Sequence, residues 1–369
     1  MTIKINSHSE FDPLRSIMFG NIENSYNIPD EFPCKIRSFD NCNNNIKMTE
    51  DKIETANKLR NNLKKILQDT YSVNIVEAPM YDHSINIKTP YWNLSNTNEH
   101  SCPRDTFSII GNTILEASMS WRCRYFESLI YHKPLLDIYN LDKSCKWMQA
   151  PKSLMNDDLY NLDYPVSLED RKNTNINMLR EDEPVFDAAD IVRCGKDLFV
   201  QKGFTTNYNG IDWLNRQFGN EYRIHTVDLK NNFTPCHLDA EFTILRPGLL
   251  MTCPEKPLNE DLYNMINNEE NDWTIIEAPN PINNKMVQGC FSSPWLSMNV
   301  LSIDENTIIV EEKEKPLIEL LESYSFNVIP VPFYDAYMFG GGFHCQTLDL
   351  ERDGHLKSYF PYLDRLNEK

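Results

Sequence analysis

The stretch FDAADIVRCGKDLFVQKG, residues 186–203, holds two short apolar runs on either side of Gly195-Lys196. Glycine followed by a polar residue between two such runs reads as a tight hairpin turn, because glycine reaches positive φ without steric cost. Beyond the hairpin, IDWLNRQFG spaces its apolar residues as a helix does, and YRIHTVDL returns to strand-like alternation. A period of 2, then 3.6, then 2 again predicts a ββαβ unit.

The same order recurs three times. FSIIGNTILEAS (107–118) turns at Gly111-Asn112 and runs into a helical stretch from Trp121. DAEFTILRPGLLMTCPE (239–255) turns at Pro247-Gly248, with LNEDLYNMINN and WTIIEAP behind it. MNVLSIDENTIIVEE (298–312) turns around Glu305-Asn306, with KPLIELLESYS and NVIPVPF behind it. Units of this kind cannot bury their sheets alone, so they are expected to pack around a common axis. A fifth unit follows if the segment after Gly342 pairs with LRSIMFG (14–20), with the helix of residues 48–70 and the strand YSVNIVEAP (71–79) completing it. That closure joins the two ends and makes residues 1–369 one domain. The helix of residues 48–70 starts at Thr49, with Glu50 and Asp51 in the first turn where acids suit the helix dipole. The Asn-rich stretches at 40–45 and 267–272 read as loops.

Of the 369 residues 41% are hydrophobic, enough for a substantial core, while the formal net charge is −18. Nucleic acid and anionic membranes are excluded as partners, because phosphate is bound through clusters of Lys and Arg. A cationic small substrate suits this field. No apolar run reaches membrane-spanning length, and the first residues show neither a signal-peptide stretch nor an Arg-rich presequence, so a cytoplasmic protein is expected. The ten cysteines are scattered without CxxC pairs, which suggests neither a zinc site nor a disulfide framework.

The polar residues that open the first strand of each unit stand out, since those strands would lie nearest the axis. They are Asp105 in PRD, Asp187 and Asp190 in FDAAD, His237 and Asp239 in PCHLD, and His344 and Cys345 in FHC. Each has an ordinary use: Asp starts turns, His sits in loops, and Cys is a small buried hydrophobe. Together, a thiol, an imidazole and a carboxylate to orient it are the parts of covalent catalysis. Two further carboxylates suit the planar donor fork of a guanidinium. The glycines at 340–342 either make a turn or keep the backbone thin where a ligand approaches the thiol. His344 is expected to face away from Cys345, because strand neighbours alternate. Asp190 is expected to satisfy backbone donors.

In that order FDAADIVRCGKD, TNYNGIDWLN, YRIH, PCHLDAEF, FSSPWLSMNVL and GGGFHCQT resemble the glycine amidinotransferases of the guanidino-group-modifying superfamily, and the likeness runs from about Glu10 to Tyr359. The resemblance implies an α/β fold, a five-bladed α/β propeller of ββαβ modules around a pseudo-fivefold axis, which agrees with the module count above. It implies Cys345 as nucleophile, His237 as general acid/base and Asp187 as the acid that orients it. Asp105 and Asp239 would hold the substrate guanidinium, and Ser292 and Ser293 the amino acid end of arginine. Lys256 stands where vertebrate members place an arginine for the substrate carboxylate, keeping the charge and losing the bidentate fork. Thr234-Pro235-Cys236 replaces the Asn-Pro-Met of those members, which leaves the acceptor open.

The implied reaction is ping-pong transfer of the amidino group of L-arginine to glycine or a related amine, through an amidino-cysteine, with release of L-ornithine. It needs no metal or organic cofactor, small molecules are the partners, and a homodimer is expected. Guanidinium and a protonated His237 would favour thiolate over thiol at Cys345. The alternative is deiminase-type hydrolysis of the same adduct to citrulline and ammonia. Deiminases carry Glu-Gly-Gly-Asp where this chain reads Asp187-Ala188-Ala189-Asp190. A non-catalytic guanidine-binding protein would be expected to have lost Cys345 or His237, and both are present.

Overall fold

The computed structural model describes residues 3–26, 31–38, 47–282 and 293–367. Strands Ile191–Cys194 and Asp197–Gln201 pair antiparallel with Cys194 opposite Asp197, and Gly195 takes up the turn at φ +63°. A Cβ at Gly195 would run into the Lys357 carbonyl, so this turn also makes room for the C-terminal segment. Helix Tyr208–Phe218 follows, started by the Asn207 side chain, which accepts the Gly210 N–H at 2.9 Å. It buries Ile211, Leu214 and Phe218 along one face, as their spacing predicts. Strand Arg223–Val227 then returns parallel to Asp197–Gln201.

The pattern repeats in Phe107–Ile110, Thr113–Glu116 and Lys146–Gln149; in Phe242–Arg246, Leu249–Thr252 and Thr274–Glu277; and in Leu301–Ser302, Thr307–Glu311 and Asn327–Val331. In the fifth case Leu14–Phe19 lies between Thr347–Arg352, antiparallel, and Asn74–Glu77, parallel. The described residues thus form five three-stranded sheets, plus a two-residue ladder of Ile87–Lys88 with Asn93–Leu94. The middle strand of each sheet is buried along all or nearly all of its length, which explains near-continuous apolar runs such as LLMT at 249–252.

Three details differ from the sequence reading. Leu301–Ser302 is shorter than predicted, because Asp304 accepts the N–H groups of Asn306 and Thr307 and closes the loop early. Helix Glu50–Tyr71 starts after Thr49, but the Thr49 side chain makes no capping bond to the helix backbone. Asp105, Asp190 and Asp239 sit instead on one-turn helices just ahead of the strands, Asp187 and His237 immediately precede two of those turns, and His344 and Cys345 lie in the turn before Thr347–Arg352. With one more that carries none of these residues, the one-turn helices are Pro103–Thr106, Ala188–Asp190, Leu238–Ala240 and Pro294–Met298. Each touches the next in that order, so four sheets deliver their polar turns to one place. Of the Asn-rich stretches, 267–272 is a loop and 40–45 lies outside the described residues. Among the described residues no helix is long and apolar enough to cross a membrane.

Candidate active site

Cys345 lies two residues before strand Thr347–Arg352, and its backbone N–H donates to the Asn299 side-chain oxygen at 2.9 Å. Its sulfur stands 3.2 Å from Asp239 Oδ2 and 3.5 Å from Oδ1. The glycines ahead of it make the turn and leave room for the thiol itself. Gly340 turns the chain at φ +99°, whereas a Cβ on Gly341 would overlap Cys345 Cβ and come within 3.1 Å of its sulfur. The space they preserve is that of the cysteine itself.

His237 precedes the turn Leu238–Ala240 and faces two carboxylates. Its Nε2 is 3.2 Å from Asp187 Oδ2 and its Nδ1 is 3.6 Å from Asp105 Oδ1. Asp187 is held in turn by the Ser120 N–H at 3.1 Å and hydroxyl at 3.2 Å, both donating to Oδ1. Asp190 accepts from Thr205, from Thr206 and from the Leu238 N–H, so it ties His237's turn to the neighbouring sheet, in line with a backbone-satisfying role. Cys345, His237, Asp187 and Asp239 line one narrow cavity together with Trp121, Arg124, Cys236 and Leu296.

Two residues that the sequence reading passed over shape this cavity. Arg124 is buried, donates to Asp105 Oδ2 at 2.6 Å and to both oxygens of Glu127, and approaches Asp187 at 4.0 Å. Asp105 Oδ1 is left buried without a hydrogen-bond partner. Asn299 orients the Cys345 backbone. It falls inside the quoted FSSPWLSMNVL, whereas the signal for Arg124 was an arginine inside the apolar stretch WRCRYFE.

Not every expected residue reaches the cavity. Lys256 is buried, with its ammonium 2.5 Å from Glu241 and 2.9 Å from both Asn232 Oδ1 and the Thr234 carbonyl. Its three donors are engaged inside the chain, so it buttresses the loop before His237 and has no donor left over for a substrate carboxylate. Ser293 starts the turn Pro294–Met298 by accepting the Trp295 N–H, and Ser292 lies outside the described residues. His344 does not turn away from the site. Its Nδ1 is 2.7 Å from Asp239 Oδ2, the oxygen nearest the Cys345 sulfur, and its Nε2 is 3.0 Å from Glu10. The alternation rule fails here because the chain is still in a turn at 343–346 and becomes a strand only at Thr347.

The electrostatics follow from this crowding of acids. Burial opposes a charge on His237, but Asp105, Asp187 and Asp190 outweigh it and lift its pKa from 6.5 to about 10. Burial, then Asp239 and Asp105, push the Cys345 thiol well above its ordinary value. The thiolate expected from a protonated His237 is therefore not the resting form: in the chain alone burial, helped by the acids, wins. Asp239 is itself held below the usual carboxylate range, with burial outweighed by His344, His237 and Arg104.

A protonated imidazole and a buried thiol thus line one cavity, among carboxylates that disfavour the thiolate. No family model matches the sequence. Individual relatives do. The chain is 34% identical to the mitochondrial glycine amidinotransferase of Gallus gallus, across 96% of this chain and 84% of that protein. It is 32% identical to the L-arginine:L-lysine amidinotransferase of Pseudomonas savastanoi pv. phaseolicola, across 97% of both. Among solved structures it superposes on an amidinotransferase of the saxitoxin biosynthetic pathway from Microseira wollei with a TM-score of 0.86 and 34% identity, covering 96% of this chain and 99% of that one. The chain belongs to the amidinotransferase family, and its activity is amidino-group transfer.

Proposed function

We propose that the enzyme carries the amidino group of L-arginine to an acceptor amine through a covalent intermediate on Cys345, releasing L-ornithine. The observation behind this reading is the Cys345 sulfur held 3.2 Å from Asp239 in the cavity that His237 also lines. The arginine guanidinium enters as a cation and pairs with Asp239 and with the unpartnered Oδ1 of Asp105. Its charge offsets the acids that hold the thiol proton, the proton leaves to solvent, and the sulfur bonds to the guanidinium carbon. The His237 imidazolium, steadied by Asp187, donates its proton to the leaving nitrogen as the carbon–nitrogen bond breaks. An amine then attacks the amidino carbon, gives a proton to the neutral imidazole, and expels the Cys345 thiolate.

Ser293 and its neighbour Ser292 are assigned to the amino acid end of arginine, and Lys256 to holding the loop that carries His237. Around this site we place the five sheets as blades of one propeller about a pseudo-fivefold axis, with residues 1–369 as a single domain. Support comes from the matching strand order of the sheets and the pairing of the first strand with the last. Glycine or a related amine as acceptor, a homodimer and a cytoplasmic location complete the reading. Hydrolysis to citrulline is not favoured, since the relatives above are transferases.

The test is to incubate the pure enzyme with arginine and a panel of amines and to identify products. Ornithine with an amidino-acceptor product supports the reading; citrulline, or transfer undiminished in Cys345→Ser, overturns it. Intact-mass analysis after arginine alone should catch one added amidino group on Cys345.

A further inference from the structure

Behind the cavity wall lies a second cluster, unused by the reaction above. Cys34 sits on helix Phe32–Ser38 and Cys123 on the turn Arg122–Arg124, and their sulfurs are 4.0 Å apart. Cys34 Sγ is 3.4 Å from Glu31 Oε1, which also accepts the Cys123 N–H at 3.2 Å. One ligand atom from each of the three residues lies within 4.8 Å of the other two. All three are buried, with Glu31 only 7% exposed, yet Glu31 Oε2 has no hydrogen-bond partner. A buried carboxylate oxygen left unpaired is costly, and a ligand that uses it removes the cost. Sequence spacing gave no hint of the group, because 89 residues separate the two cysteines.

The distances fit a metal better than a covalent bridge. Two thiolates each about 2.3 Å from a tetrahedral ion stand just under ~4 Å apart, whereas a disulfide needs about 2.05 Å. We propose that Glu31, Cys34 and Cys123 bind a thiophilic divalent cation of the zinc class, through two thiolates and both oxygens of the carboxylate. On binding, the two thiol protons are released, and a dication with three anionic ligands leaves one net negative charge. Arg122 and Arg124 lie close enough to act electrostatically on Glu31 and on Cys123 respectively, and they offset that charge. Soft thiolate ligands select such ions over magnesium or calcium.

The site borders the catalytic cavity. Trp121 packs against Cys34 and Cys123 and also lines the cavity, and Arg124, next to Cys123, holds Asp105. A metal there would brace the wall that carries Trp121 and Arg124 without entering the reaction.

Cobalt(II) is the probe. Under reducing, anaerobic conditions, titrating the metal-free enzyme should give a sulfur-to-cobalt charge-transfer band in the near ultraviolet and a change in tryptophan emission, both reversed by zinc. Cys34→Ser and Glu31→Gln should each weaken binding on the order of a hundredfold, since loss of a direct ligand costs at least as much as loss of its supporting contacts. Cys194→Ser, a buried thiol in another cluster, should leave binding unchanged. Because the group is buried, zinc content is also measured on enzyme purified from zinc-supplemented cells, with amidino transfer by each variant as the check on folding. Equal metal content and affinity in wild type and Cys34→Ser, or no thiolate band together with no bound zinc, would overturn the proposal.

Discussion

The Cys345 sulfur stands 3.2 Å from Asp239 Oδ2, and His344 Nδ1 holds that same oxygen at 2.7 Å. The carboxylate that should welcome a guanidinium is thus also the group that keeps the thiol protonated beforehand. Replacing it separates the two effects. In Asp239→Asn the thiol should ionise more easily, so alkylation of Cys345 by iodoacetamide at neutral pH should speed up. At the same time kcat/KM for the guanidino donor should fall on the order of a hundredfold, from loss of one partner of a buried charge pair. Unchanged alkylation would refute this account of the thiol.

Gly341 has no room for a side chain beside Cys345. Gly341→Ala should displace the nucleophile and lower kcat by about a hundredfold, as misplacement on the order of 1 Å does. Gly341→Val should abolish turnover while the far-ultraviolet dichroism stays native. A fully active Gly341→Val enzyme would show that the glycine does not serve the thiol.

His237 gives a pH signature with a definite sign. Its folded pKa, about 10, lies above the ordinary 6.5, so protonation stabilises the folded state. That contribution is complete below about pH 6.5 and is lost as the pH rises through about 10. Urea unfolding of wild type minus that of His237→Gln should therefore give a stability difference that shrinks over this interval. A difference that is flat, or that grows with pH, would contradict the charge placed on His237.

Arg124 is a buried cation among Asp105, Glu127 and Asp187. Arg124→Met removes the charge and keeps much of the apolar stem, leaving Glu127 buried and unpaired and Asp105 with only His237 beside it. We expect a loss of about 3–5 kcal/mol in chemical denaturation. The loss should lessen at low pH, because burial already raises Glu127 to about 7 and protonating these acids removes the unpaired charge.

Three of the hairpins were legible because their turns need a residue that tolerates positive φ, and Gly111, Gly195 and Gly248 all adopt it. Closure between 14–20 and the segment after Gly342 was legible from the same strand count. The candidate nucleophile and base were found because their residue types are chemically unusual beside apolar runs. Arg124, Asn299 and the engagement of Lys256 were hidden for a different reason. Each depends on a partner far along the chain, as in the 24 residues between Lys256 and Asn232 or the 46 between Cys345 and Asn299. His344 was misread because strand alternation was applied one turn too early.

The pairing of Leu14–Phe19 with Thr347–Arg352 fastens the segment carrying Cys345 to a strand synthesised long before it. Translation must run past Arg352 before that segment has its docking partner, so nascent or prematurely terminated chains remain chemically silent. A thiol meant for chemistry gains by this timing, since it is seated only once these two distant strands have met.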